Sequence, residues 1–345
     1  MDKVVRAIDV GHGNTKYVTG VLDGRVQVGF FPSRAVLAPG RELAEALGRR
    51  RRTVELEVDG EPYEVGPEVH LAEATFTARN MDDDFALTAE YLALARGALY
   101  YMDVPRIDLL VVGLPVSTMT SRRAALAQRL TGTHRLGPGR KVDVERVKVL
   151  AQPHGALAAY GLVPGRYSTL RSERTLIIDC GARTFDWLVA EGLKPLEQQT
   201  GAVNRGMFDV LQKIAERIGK AEAEAYTDLE EIDRALRTAT APRVFGREHN
   251  IEPYLPAARK VAEEAVTELR RSVQSASHIH NILVAGGGAF FFRARVQEAF
   301  RRHRIIELQD GMFANVRGFQ LAGIEAVHQE TVRRARAGRR AETAG

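Results

Sequence analysis

The chain has 345 residues, more than one hydrophobic core usually organises, so two domains or lobes are expected. Hydrophobic residues at 45% and charged residues at 27% are ordinary globular values and exclude disorder of the chain as a whole. The 49 Lys and Arg against 44 Asp and Glu leave a formal charge of +5, too small to announce a nucleic-acid binder by charge alone.

A single cysteine, Cys180, excludes a disulfide framework or a cysteine-rich zinc site. No apolar run reaches membrane-spanning length and no signal peptide is recognisable, so a cytoplasmic protein is expected. Two stretches, Arg49 to Arg52 and Arg333 to Arg340, are arginine-dense; a solvated loop and a frayed terminus are the preferred readings over a DNA or filament contact.

In chain order, VVRAIDVG is an apolar strand, and residues 17–31 form two β-type runs around Asp23-Gly24, a hairpin signal. A second hairpin is expected over 53–66 about Asp59-Gly60. After Asp82, Asp83 and Asp84, whose carboxylates suit a helix N-terminus, Phe85, Thr88, Leu92, Ala95, Leu99 and Met102 recur at steps of three and four and predict an amphipathic helix. Residues 107–115 read as a buried strand closed by Gly-Leu-Pro, and 121–130 as a helix.

The second half repeats this grammar. Residues 175–190 are strand, sharp glycine turn and strand, followed by a helix over 206–219. Pro256 opens a helix carrying Val261, Ala265, Val266, Leu269 and Val273, and 281–292 is an apolar strand running into three glycines. The frame Ile-Asp-x-Gly occurs at Ile8–Gly11 and again at Ile178–Gly181, half a chain apart. Each half is then expected to be an α/β unit whose first strand ends in an aspartate, with the two aspartates facing across a cleft.

The chemistry of these turns is that of an oxyanion site. Gly11 and Gly13 let backbone amides come close to a ligand, Lys16 behind Thr15 supplies a point charge for phosphate, and Asp9 suits a hydrated divalent cation. An ordinary glycine-containing hairpin is the alternative. The second turn offers Asp179, Gly181, Thr184 and Asp186, with Arg183 equally a phosphate contact or a surface residue and Cys180 a packed one. Two such turns can clasp one polyphosphate and hold Mg²⁺ through water. Gly286-Gly287-Gly288, anchored by Phe290 to Phe292, leave a flat place for a base or ribose. Gln152 introduces a run of small residues, 151–161, that permits close packing; its amide can orient a water, unless it is only a loop glutamine.

Together these segments resemble the actin, Hsp70 and sugar-kinase nucleotide-binding superfamily, and within it the ParM/StbA-type plasmid-segregation actin-like ATPases. Asp9, Gly11, Gly13 and Lys16 match the first phosphate motif, Gln152 and Gly161 the first connecting motif, and Asp179, Gly181, Thr184 and Asp186 the second phosphate motif. Gly286 and Gly287 match the adenosine motif, and residues 314–319 resemble the second connecting segment. FPSRA (31–35) and VGLP (112–115) also look like ParM/StbA segments.

The resemblance implies an α/β actin-like ATPase fold, two RNase H-like lobes around a nucleotide cleft. Lobe I would comprise 1–160 plus 320–335, lobe II 161–319, with 336–345 a disordered basic tail. It implies ATP/ADP and Mg as cofactors. Gln152 would position the hydrolytic water, and Asp9 and Asp179 would hold the Mg²⁺ water shell. Gly11, His12, Gly13, Asn14, Thr15 and Lys16, with Gly181, Ala182, Arg183 and Thr184, would bind phosphate, and Gly286, Gly287 and Gly288 the nucleoside. It further implies head-to-tail filaments and plasmid DNA movement through a DNA-binding adaptor, with no membrane and little support for direct nucleic-acid binding. A non-polymerising nucleotide-dependent interaction protein and a small-molecule phosphotransferase are the alternatives.

Overall fold

The computed structural model describes residues 3–38, 51–72, 84–163 and 165–342, with backbone alone for 338–342. The expectations on Arg49, Arg50, Asp82 and Asp83 fall outside the described residues. The chain divides into two compact units, Met1–Tyr167 with Phe313–Gly345, and Ser168–Met312.

The first unit is built on β1 (Val5–Val10), β2 (Asn14–Leu22) and β3 (Arg25–Pro32), the hairpin β4 (Val54–Val58) and β5 (Glu61–Val65), then β6 (Leu109–Leu114) and β7 (Val147–Ala151). Its main sheet runs β7-β6-β1-β2-β3; β1 is antiparallel to β2 and parallel to β6. Every residue of β6 is buried, which is why LLVVGL reads as a continuous apolar run rather than an alternating one. Asp23 (φ 49°) and Gly24 (φ 72°) are both left-handed, as a two-residue hairpin turn with the twist of its strands requires, and Asp59 and Gly60 repeat this between β4 and β5.

Helices α1 (Ala89–Met102), α2 (Val116–Leu130) and α3 (Gln152–Gly161) pack on this unit. The first begins later than the periodicity predicts. Thr88 Oγ1 accepts the amide of Tyr91 at 3.2 Å, so the hydroxyl caps the helix and Phe85 falls in a separate 3-10 turn, still buried. Asp84 pairs with Arg122 instead of capping. Conversely α2 begins at Val116 rather than Ser121, because Pro115 with its φ of −55° starts the helix directly after β6.

A closing helix, Ala314–Glu342, crosses α3 at backbone contact. A Cβ on Gly318 would stand 1.7 Å from the carbonyl oxygen of Gly155, and one on Gly155 would meet Asn315 O at 2.6 Å. Gly155 and Gly318 are there because no side chain fits between the two backbones. The closing helix runs on through 336–342, residues expected to form a disordered tail.

The second unit repeats the plan with β8 (Arg174–Cys180), β9 (Phe185–Glu191), β10 (Gly201–Val203), α4 (Met207–Glu222), α5 (Leu229–Thr238), the hairpin β11 (Arg243–Val244) and β12 (Arg247–Glu248), α6 (Leu255–Val273), β13 (Asn281–Ala285), α7 (Ala289–Ala299) and β14 (Ile305–Glu307). Here β8 is antiparallel to β9 and parallel to β13, which is parallel to β14. Leu211, Ile214 and Ile218 of α4 share one core with Val261, Ala265 and Leu269 of α6, the faces that helical periodicity marks. Each large side chain buried this way is worth about 1.5–3 kcal/mol. The run Phe290–Phe292 is helical, not a strand; the 3.6-residue period buries Phe292 completely and leaves Phe290 at 38% exposure. No helix among the described residues is long and apolar enough to cross a membrane.

Candidate functional site

In the first unit β1 and β2 pair Asp9 with Lys16. The turn between them closes through Gly11 N donating to Asn14 O at 3.1 Å. Space there is tight: a Cβ on Gly11 would lie 3.1 Å from Lys16 Nζ and 3.3 Å from Asn14 O, so one or the other would have to shift. The loop before β4 supports the turn, since Ser33 N donates to Gly13 O at 3.1 Å and the hydroxyls of Ser33 and Thr15 share a 2.8 Å bond.

The carboxylate of Asp9 is fully buried and held at both oxygens. Lys16 Nζ donates to Oδ2 at 3.0 Å and Gln152 Nε2 to Oδ1 at 2.8 Å. With its nitrogen committed to Asp9, Gln152 offers its amide oxygen as an acceptor. The glutamine is itself confined, because Gly113 leaves only enough room for Gln152 Cγ and the ring of Phe319, 3.1 and 2.6 Å from where a Cβ would be. Tyr91 lies nearby; burial, and secondarily the Asp9 charge, push its phenol up, so it stays protonated. His12 packs on Phe85 with ring centroids 4.9 Å apart. This unit therefore brings together Asp9, Gly11, His12, Gly13, Asn14, Thr15, Lys16 and Gln152.

The second unit carries the equivalent turn. Gly181 N donates to Thr184 O at 2.9 Å, and the strand register sets Asp179 opposite Asp186, both buried. The turn rests on the start of α4: Gly181 O accepts from Met207 N at 3.1 Å and Ala182 O from Phe208 N at 2.8 Å. Gly206 permits this, since its Cβ would stand 2.3 Å from Ala182 O. The three glycines after β13 lean on the same turn. Gly288 N donates to Cys180 O at 2.9 Å, and Gly286, at φ 90°, would bring a Cβ within 2.5 Å of Asp179 Oδ1. So Asp179, Gly181, Ala182, Arg183, Thr184 and Gly286 to Gly288 form the second cluster. Burial drives the Cys180 thiol well above its usual value, which leaves it a packed, unreactive residue.

Gly287 differs from its neighbours in having room at its Cβ position. Its Cβ position is 3.9 Å from Arg237 Nη2 and 4.0 Å from Met312 Cγ. Arg237 is oriented by Asp233, whose Oδ2 accepts from Nε at 2.8 Å, and its guanidinium lies 4.7 Å over the ring of Phe290. A flat glycine floor with a guanidinium and a thioether at its edge suits a planar, electron-rich ring. The glycine motif does not point to Arg237 or Met312. The signal that could have found the first is the helix of α5, with Asp228 as its cap and Leu229, Ile232 and Leu236 at helical spacing.

Oxygen-rich ligands fit both turns. Each Asp9 oxygen accepts one protein hydrogen bond and retains a lone pair, which suits water around a cation better than direct ligation. Among the described residues no three His, Cys, Asp or Glu side chains cluster as a closed metal cage.

Residues 7–155 match the family model for the actin like proteins N terminal domain, and residues 177–298 that for the archaeal actin homologue MreB-like, C-terminal domain. Among solved structures, the archaeal actin homologue Ta0583 superposes with a TM-score of 0.74 at 20% identity, over 93% of this chain and 99% of that one. A ParM in a 15-stranded filament from Clostridium botulinum superposes at 0.75 and 18% identity, over 94% and 100%. The apo pSK41 ParM superposes at 0.68 and 17% identity, over 95% and 99%. No curated protein matches the chain by sequence. The fold is the mixed α/β actin-like fold.

Proposed function

Because the chain belongs to the actin-like proteins, matching their amino- and carboxyl-terminal domain models over 7–155 and 177–298, we propose that it is a Mg-ATP-dependent ATPase. In this reading nucleotide state governs head-to-tail assembly into filaments that move plasmid DNA through an adaptor. The observation that carries the proposal is the buried Asp9 held between Lys16 and Gln152 at the end of β1, with the same strand-turn-strand repeated at Asp179.

Each residue then has a task. The amides from Gly11 to Asn14, Lys16 and the turn Gly181–Thr184 bind phosphate oxygens. Asp9 and Asp179 would accept hydrogen bonds from water around a bound Mg²⁺. Mg²⁺, when bound, supplies positive charge against the phosphates. Gln152 keeps its oxygen turned to the attacking water through the bond from its nitrogen to Asp9, needing no change of protonation. Gly287, Arg237 and Met312 receive the base. The chain passes between its units twice, near 167–168 and 312–313, and these passages serve as the hinge through which nucleotide state is reported.

Two relatives support carrying the reading this far. The Ta0583 fold has been seen in complex with ADP, and the Clostridium botulinum ParM assembles as a 15-stranded filament. A head-to-tail contact that does not close on itself propagates, and each stable contact needs about 1,200–2,000 Å². Pelleting and light scattering with ATP, with ADP and without nucleotide test assembly; phosphate release tests turnover. Gln152→Ala is expected to cut hydrolysis by about 100-fold with nucleotide affinity nearly kept. Absence of ATP-dependent assembly across protein concentration and salt would remove the filament function, and equal turnover in the variant would remove the role of Gln152.

A further inference from the structure

The closing helix carries a second feature that nucleotide chemistry does not use. Among the described side chains, its last hydrogen-bonded tie to the first unit is the pair of 3.0 and 3.1 Å bonds from Arg146 to Glu330. Beyond it residues 333–337 are all exposed. The segment 331–342, TVRRARAGRRAE, holds five arginines and one glutamate on one continuous helix. At a rise of 1.5 Å per residue it extends about 18 Å.

Elsewhere this protein matches helical arginines with acids one turn away. Arg234 pairs with Glu231, Arg237 with Asp233, Arg271 with Glu268 and Arg295 with Glu298. The end of the closing helix abandons that habit. Arg333 and Arg334 have one acid within a turn, Glu330, which Arg146 already binds through both oxygens, and Arg336 has none. The Arg146 bond first, then the charges of Lys3 and Arg334, hold Glu330 below the usual carboxylate range. Arg333 and Arg336 lie three positions apart on one helix face, a like-charge spacing that costs stability.

We propose that this arginine-rich end of the closing helix binds the phosphate backbone of duplex DNA directly, without sequence preference. Guanidinium groups bind phosphate oxygens in pairs, and a helix fits beside or within a duplex groove. A lipid surface is the poorer partner, because the segment has no large apolar side chain except Val332 to bury at an interface. Such contact would add to attachment through an adaptor and would be multiplied wherever many copies assemble.

The test is fluorescence anisotropy of the full chain with a short, mixed-sequence labelled duplex and no nucleotide, so it does not depend on filament formation. Affinity should fall linearly with log salt, and Arg333→Gln with Arg334→Gln and Arg336→Gln should flatten that slope by about 2.7. That difference corresponds to about 40-fold in affinity between roughly 50 and 200 mM salt. The matching triple Lys variant should retain most of the binding, which separates lost charge from lost fold. An unchanged slope in the Gln variant, or binding to vesicles of anionic phospholipid with none to the duplex, would overturn the proposal.

Discussion

The turns at Asp9 and Asp179 share a backbone and differ in charge. Each ends a strand that is antiparallel to the next strand and parallel to a later one, and each closes through a glycine amide bonded three residues on. Across the ladder, however, Asp9 faces Lys16 while Asp179 faces Asp186. The first turn sets a carboxylate beside an ammonium, and the second sets two carboxylates opposite one another with Arg183 in the turn between them. Duplicated backbone geometry can thus carry different side-chain pairings: the first turn ties Asp9 to Lys16 and Gln152, and the second brings two aspartates to one place on the ladder.

The sharpest way to break this contrast is to neutralise each aspartate in nucleotide-free protein. Asp9→Asn strands the largely buried Lys16 ammonium and should cost about 3 kcal/mol in urea unfolding. Asp179→Asn removes one of two opposed carboxylates and should cost less than a third of that. Equal losses would mean that charge does not distinguish the turns.

A smaller effect separates the glycines that lean on the second turn. Gly286→Ala forces a Cβ into Asp179 Oδ1 and Cys180 O at a left-handed φ, and should cost about 2 kcal/mol in thermal melts. Gly287→Ala meets nothing closer than 3.9 Å, so stability should change by less than about 0.5 kcal/mol while adenine-nucleotide affinity drops. Arg237→Ala should lower that affinity in the same titration, by about threefold to tenfold.

The smallest effects are in pH. His134 in the first unit is buried, which lowers its pKa below the ordinary 6.5, although its bond to Leu130 O opposes this. The unfolded chain takes up that proton first, so the first unit loses stability as pH falls below about 6.5. In the second unit the Arg234 side chain first, then the Arg243 amide, hold Glu231 down to about 2 from 4.5. Its contribution is present above 4.5 and lost as pH falls from there toward 2. Fluorescence of Trp187, the only tryptophan, follows the second unit alone, and hydrogen exchange by mass spectrometry follows the first. Simultaneous loss of both units near pH 6 would show that they do not titrate separately.

Much of the site is legible because short-range rules govern it. Asp-Gly pairs tolerate left-handed φ and so mark hairpins, and the repeated Ile-Asp-x-Gly shows a strand ending at a turn wherever it occurs. Gln152 is visible as the polar head of a small-residue run. Its bond to Asp9, 143 positions away, is not, since parallel pairing of β6 with β1 and β7 creates it. Helix starts depart from the periodicity where the residue at the helix entry outweighs it, at Thr88 and Pro115. The aromatic run Phe290–Phe292 has no period of its own and takes the helical conformation of its surroundings.

Local chemistry in the chain therefore determined the turns, the amphipathic faces of α4 and α6 and the types of group brought to each turn, because these depend on residues within a few positions of one another. Tertiary structure alone decided which neighbour each group meets. Gln152 reaches Asp9, Gly318 lies against Gly155, and Arg237 and Met312 border Gly287, all by contact between segments distant in sequence. A glycine in the sequence marks permission for close approach; only the fold names what approaches.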